Sequence, residues 1–310
     1  MSKYTSIGGQ ALIEGIMMKG PHKTVMAVRK KDGSIDIENM NFKSVKDKIK
    51  FLGWPIIRGV TNMVESMIQG YKAIEISADK SGFAEDDEPQ EGEKNDSVSM
   101  GVIMVIAAVL AIFISVFLFM YLPALAFDGI VWLTGQFMLP FAALFEGMLR
   151  LIILICYMLA VSQMKEIKRV FMYHGAEHKT IYCYEHGKEL TVENVRPERR
   201  FHPRCGTSFL VLMVLVSIIV SSLISVLFPS LRQITVLWVA VKILIMPLIC
   251  GLGYELIKIC GRYDNTFTRI VSAPGVWVQR ITTKEPDDGM IEIAIAAMSE
   301  VIPEKGDADE

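Results

Sequence analysis

From Ser97 to Phe127 the chain carries no charged residue, and VIMVIAAVLAIFISVFLFMYL lies inside that run. Such a stretch exceeds the roughly 20 apolar residues that cross the hydrocarbon core of a bilayer. In lipid every backbone N–H and C=O must be satisfied within the segment, so it has to be helical, and the rest of the fold must accommodate it. Three further runs qualify. Leu139 to Met164 is interrupted by Glu146 and Arg150, whose i,i+4 spacing allows a pair on one helix face. Gly206 to Phe228 is uninterrupted, and Ile234 to Ile257 contains Lys242. Either a Glu146–Lys242 pair or snorkelling of Lys242 to the interface would let these charges be tolerated; for the pair, charge exchange should restore folding lost in either single reversal.

The expected fold is a polytopic α-helical membrane protein of about four transmembrane helices with a small N-terminal α+β cytoplasmic part. Hydrophobic residues at 52% and a mean hydropathy of +0.38 agree with it. A net charge of −2 supplies no global basic field, so no nucleic acid is indicated as a partner. Five cysteines, an odd number without a C-x-x-C pair, exclude a disulfide framework. MSKYTSIGGQALIEG lacks the cationic start and apolar run of a secretory signal.

Lys and Arg number 14 before residue 97 and nine between 165 and 205, whereas the connections 122–138 and 229–233 carry only Arg232. Positive-inside bias therefore predicts a multi-pass protein of the cell membrane with both termini and the middle loop cytoplasmic. The predicted organisation is a cytoplasmic α+β segment (1–80), an acidic linker (81–97), a four-helix membrane domain with a cytoplasmic loop (98–258, loop 165–205) and a C-terminal cytoplasmic segment (259–310).

QALIEGIMM, HKTVMAVRK and SIDIE read as short strands, with KDGS as a turn. Apolar residues from Ile56 to Ile74 recur at helical spacing behind Pro55, giving an amphipathic helix packed on its own protein or on the bilayer surface. KEPDDGMIEIAIAAMSEVI predicts an N-capped helix from about Asp287 to Val301. Trp277, Gln279 and Arg280 read as an interfacial anchor or docking surface.

If the second span continues as a helix, HGAEHKT places His174 and His178 one turn apart on one face, where two imidazoles can share a metal. Glu177 completes H-x-x-E-H, in which the glutamate polarises a metal-activated water as general base. The expected cofactor is a divalent transition metal such as zinc, which takes His nitrogen, carboxylate oxygen or Cys sulfur. The third ligand has no fixed spacing: Glu185, His186, Glu193, His202 and Cys205 are candidates, with His202 and Cys205 preferred. Arg204 is a candidate for an anionic substrate group, and equally a headgroup contact before the third span. Glu14 could face the histidines, and Glu255 near the inner end of the fourth span needs a partner such as Arg58, Arg204 or the metal.

HGAEHKT together with GGQALIEGIMMKGP, TVENV, FHPRCGTSF, GYELIKI, PGVWVQRITTKEPDD and IEIAIAA resembles the bacterial YqhQ-like membrane family, a family of unknown function labelled a predicted metal-dependent enzyme. The resemblance covers nearly the whole chain. It implies a bacterial inner-membrane protein with metal-dependent activity, and names no substrate. Two functions are expected: a metal-dependent hydrolase facing the cytoplasm, or a non-catalytic membrane assembly or scaffolding factor that binds a membrane-protein partner through its cytoplasmic segments.

Overall fold

The computed structural model describes residues 7–42, 44–83, 97–263 and 265–303. The acidic stretch 84–96 and the tail EKGDADE lie outside the described residues.

Four antiparallel strands, β1 (Gly8–Leu12), β2 (Gly15–Lys19), β3 (Thr24–Arg29) and β4 (Ile35–Asn39), follow one another in sheet order. QALIEGIMM is therefore a hairpin rather than the single strand its apolar content suggests. Leu12 pairs with Gly15 across Ile13 and Glu14, and Glu14 takes φ of 49° to turn the chain. Gly15 is required, because a Cβ there would stand 2.6 Å from the Ala27 carbonyl oxygen of the neighbouring strand. The unbroken apolar runs GIMM and TVMAV arise because both faces of the sheet are covered. Leu12, Met17, Met26 and Val28 point to one side, where Ala73 of helix α1 (Ile57–Ser81) joins them. Ile16, Met18, Val25 and Ala27 point to the other, onto α5 (Lys165–Glu185) and α10 (Asp288–Val301). Asp287 caps α10 by accepting the Met290 N–H at 2.8 Å, as its sequence predicts. Three separated pieces of the chain thus build one packed unit.

Four helical stretches are long and apolar enough to cross a membrane: Val105–Thr134, Gln136–Val161, Gly206–Leu227 and Thr235–Arg262. The first belongs to a longer helical run of α2 (Ser97–Val116), a π turn (Phe117–Tyr121) and α3 (Leu122–Thr134). The segment 122–138, read as a connection, is thus helical to Thr134. Pro123 cannot donate to the Phe119 carbonyl, and Arg150 of α4 (Ala142–Val161) does so instead through Nε at 2.8 Å. Arg150 also donates to Ser217 Oγ at 2.8 Å, so it does not pair with Glu146. Glu146 pairs with Lys242, and with Arg232 at 2.7 Å; Arg232 also covers the Phe127 ring.

α4 does not continue into α5. The chain turns at Ser162–Met164, where Met164 is extended, and starts a new helix at Lys165. After a short helix α6 (Val192–Val195), α7 (Gly206–Leu227) and α8 (Thr235–Arg262) form the second pair of long helices. A further helix, α9 (Thr266–Thr282), packs against α7; its Gly275 lies so close that a Cβ would come 2.7 Å from Ser208 Cα. α5 and α10 both pack on the sheet, so this unit is assembled from segments before, between and after the four long helices.

Candidate metal centre

α5 is the site's platform. Glu166 in its first turn suits the helix dipole. The four residues of the motif that follow His174 face four different surroundings, which explains their types. Gly175 faces the segment entering α10, where a Cβ would stand 2.0 Å from the Lys284 carbonyl oxygen. Ala176 is fully buried against the sheet. Glu177 reaches back to β1, where the Gly9 N–H favours its ionised form and its carboxylate carbon lies 2.9 Å from where a Gly9 Cβ would be. His178 stands one turn beyond His174, with ring centroids 4.4 Å apart.

Each ligand-type histidine has one nitrogen committed to a backbone carbonyl. His174 Nδ1 lies 2.9 Å from Thr282 O, and His178 Nδ1 lies 2.6 Å from Arg200 O. A carbonyl only accepts, so both Nδ1 atoms carry the proton and both Nε2 atoms present lone pairs. His174 Nε2 is 3.2 Å from Cys205 Sγ. Ligand atoms of His174, His178 and Cys205 lie within 4.8 Å of one another, the group among the described residues able to hold an ion.

The supporting contacts are built from distant segments. Glu285 joins Lys179, which is buried, and receives Arg200 NH1 at 2.7 Å, while Lys179 also donates to Arg196 O at 2.7 Å. That network holds the loop whose carbonyl orients His178. Gln279 of α9 is fully buried: it accepts the His202 N–H at 2.7 Å and donates to His202 O at 2.7 Å and Ser208 Oγ at 2.8 Å. It thereby clamps both sides of Cys205, the residue before α7. Gln279, read with Trp277 and Arg280 as an interfacial anchor or docking surface, is instead fully buried here, and Glu285 carries no ligand pattern in sequence.

Burial pushes the Glu177 carboxyl above its ordinary range, against the lowering pull of His174, His202 and the Gly9 N–H. Burial and the neighbouring His174 keep His178 below the usual histidine value, and burial pushes His202 down to about 4. Neutral imidazole is the ligating form.

The remaining predicted residues lie around this group. His202 packs at a tilt against Tyr182 with ring centroids 4.8 Å apart; its Nδ1 takes the Arg204 N–H at 3.3 Å and its Nε2 faces Glu185 at 3.4 Å, so neither nitrogen turns to Cys205. Arg204 pairs with Glu185, which occupies the guanidinium assigned to an anionic substrate. His186 and Lys188 share Glu198, and Glu193 is exposed on α6. Glu14 pairs with Arg169 and accepts from Tyr173 at 3.1 Å, one residue before His174; burial opposes its ionisation but Arg169 holds it low. Arg58 meets Glu255 through two hydrogen bonds, at 2.7 and 2.5 Å, as one of the expected pairings.

The comparisons with known proteins place the chain in a family without adding an activity. The chain is 35% identical to the uncharacterized protein YqhQ of Bacillus subtilis (strain 168), over 97% of this chain and 95% of that protein. No solved structure matches. A family model described as a protein of unknown function, DUF1385, matches residues 54–304. The chain therefore belongs to the DUF1385 family.

Proposed function

We propose that this chain is a multi-pass membrane protein, both termini cytoplasmic, that works as a metal-dependent hydrolase through His174, His178 and Cys205. One observation carries the reading: two imidazoles whose Nδ1 atoms are tied to backbone carbonyls turn their free nitrogens toward one thiol. Metal-ligating histidines are held in this way, and carbonyl partners set both tautomer and ring orientation. The donor set fits zinc, with three protein ligands and a fourth position left for substrate chemistry. A bound ion would supply Lewis-acid activation of water. Glu177, buried and with its carboxyl pushed above the ordinary range, would be the group to accept a proton and return it to a leaving group. Its carboxylate first has to leave the Gly9 N–H.

A second reading gains from that same bond. With Glu177 held by Gly9, the ion would be structural, joining α5 to the loop before α7 in a non-catalytic assembly factor. Elemental mass spectrometry of detergent-purified protein tests the centre, comparing wild type with His174→Ala, His178→Ala and Cys205→Ala. Stoichiometric metal lost in all three supports it; absence of metal, with none taken up on reconstitution, refutes it. Glu177→Gln then separates the readings: a hydrolase keeps metal and loses turnover on fluorogenic ester, amide and phosphodiester panels, whereas a structural centre shows no turnover to lose.

A further inference from the structure

α1 wears its amphipathicity inside out. The residues it buries most deeply on the sheet side are small or polar, Gln69, Gly70, Ala73 and Ser77, with Ile76 partly buried beside them. Val64, Met67, Ile68, Tyr71 and Ile74 recur at three- and four-residue spacing on the opposite side, and all are exposed, Met67 at 67% and Tyr71 at 62%. Packing among the described residues does not account for that stripe, and a large apolar patch left outside a folded unit marks an interaction surface.

The position of the helix identifies what covers it. Its first turn is locked to the last third of α8, one of the membrane-length helices. A Cβ at Gly59 would stand 2.9 Å from Gly251 Cα, and Arg58 pairs with Glu255. Ile56 enters this contact at φ of 70°, a conformation costly for a β-branched residue and held here by the crossing. Just ahead, Phe51 and Trp54 form an exposed edge-to-face pair, rings 5.3 Å apart, behind exposed Lys48 and Lys50. Aromatic rings beside lysines are the composition of the layer between water and acyl chains. Where α1 meets α8, an open cavity of about 350 Å³ is lined by Arg58, Glu255, Lys258, Ile259, Arg262 and Tyr263. Arg58 takes up the one carboxylate of this lining, and no described carboxylate lies within ion-pair distance of Lys258 or Arg262.

We propose that α1 seats its outward apolar stripe in the bilayer leaflet on the sheet side, the cytoplasmic one by the charge distribution, and that the basic cavity at its start binds the phosphate of an anionic phospholipid. The proposal rests on the membrane residence proposed above, and not on the metal centre. Apolar burial holds the stripe, and Lys258 and Arg262 add attraction to anionic headgroups. The metal-bearing unit is then fastened to the membrane face by α1 as well as by the helices that cross it.

The test uses the full chain in nanodiscs of phosphatidylcholine and phosphatidylglycerol, in a Cys156→Ser background that removes the exposed native thiol. Spin labels go to Met67→Cys and Tyr71→Cys, with Ser34→Cys in an exposed strand turn as the aqueous reference and Phe113→Cys on α2 as the lipid reference. Expected is collisional access favouring oxygen over an aqueous nickel chelate at 67 and 71, as at 113, and the reverse at 34. Access favouring the chelate at 67 and 71, with 113 still oxygen-accessible, overturns the proposal. Loss of access to both reagents overturns it in favour of a protein covering, and chelate access at 113 overturns membrane residence itself. Phosphatidylglycerol is expected to be retained through detergent purification and lost from Lys258→Glu/Arg262→Glu; unchanged retention removes the headgroup site.

Discussion

Gln279→Ala is the sharpest probe of how the centre is held, because this side chain touches no ligand and still positions one. Its amide brackets Cys205, bonding to both the N–H and C=O of His202 and to Ser208 Oγ. Alanine leaves the buried His202 N–H unpaired, at about 1–3 kcal/mol. His202 O keeps the Cys205 N–H at 3.3 Å, so the carbonyl contributes less. The vacated space adds about 1 kcal/mol. The expected loss of stability is therefore about 2–4 kcal/mol. Release of the 202–208 loop also frees Cys205 from its place opposite the two imidazoles. Loss of such an orienting contact lowers metal affinity by about 10- to 100-fold. Zinc affinity by chelator competition, with unfolding in detergent followed in parallel, separates the two effects. Gln279→Glu keeps an acceptor for the His202 N–H but buries a carboxylate against His202 O, so it should lose affinity and at least as much stability as alanine. Zinc affinity indistinguishable from wild type in both variants, with a lowered unfolding midpoint, would refute the positioning role.

Three other outcomes follow from the same geometry. Gly175→Ala puts a methyl 2.0 Å from Lys284 O and must push that segment off α5; the His174–Thr282 bond breaks, and purified protein should lose metal with its helical content intact. Glu146→Gln should destabilise more than Lys242→Met. Glu146 lies between Lys242 and Arg232, so its loss leaves two buried cations together, at about 3–5 kcal/mol, whereas Arg232 still neutralises it when Lys242 is gone. Denaturation in detergent gives the order, and Arg232 makes a simple Glu146/Lys242 charge exchange an incomplete rescue. Lys30 and Lys80 hold the Asp36 carboxyl below the ordinary carboxylate range, so their contribution is present above that range and lost as pH falls through the folded value. Hydrogen exchange in the last turn of α1 should differ between wild type and Lys80→Met at neutral pH and converge in acid.

The long apolar helices were legible because bilayer length is a one-dimensional criterion, met or missed by counting. Charge tolerance was partly legible: the Glu146–Lys242 pair follows from similar depth on two helices, but Arg150 needed Pro123 to be read as the source of an unpaired carbonyl on a third. The β1–β2 hairpin was missed because Ile13 and Glu14 carry none of the Gly, Asn or Asp that usually mark a tight turn, and the tolerance lies in Gly15 and the covered faces around it. The break after Val161 was missed because Ser162–Met164 contains no Gly or Pro. α1 misled in the opposite sense. Its 3.6-residue pattern was correctly read as helical, yet the pattern does not say which face the protein covers, and here the packed face is the small, polar one.

For the centre, the pair on α5 could be read from spacing because one helical turn enforces it. The third member could not, because nothing in local sequence distinguishes His202 from Cys205; both lie in FHPRCG and both are buried. What separates them is the occupancy of their donor atoms. His202 takes the Arg204 N–H on one nitrogen and turns the other to Glu185, while Cys205, the residue before α7, sets its sulfur 3.2 Å from His174 Nε2 and 3.1 Å from Thr207 Oγ1. Those occupancies depend on α9, through Gln279, and on the 282–285 segment, through Thr282 and Glu285, more than 70 residues further along the chain. The proposed ligand set is thus shaped by segments that contribute none of its members. A variant at Gln279 or Gly175 should therefore alter metal binding as surely as one at His178, although neither residue presents an atom to the ion.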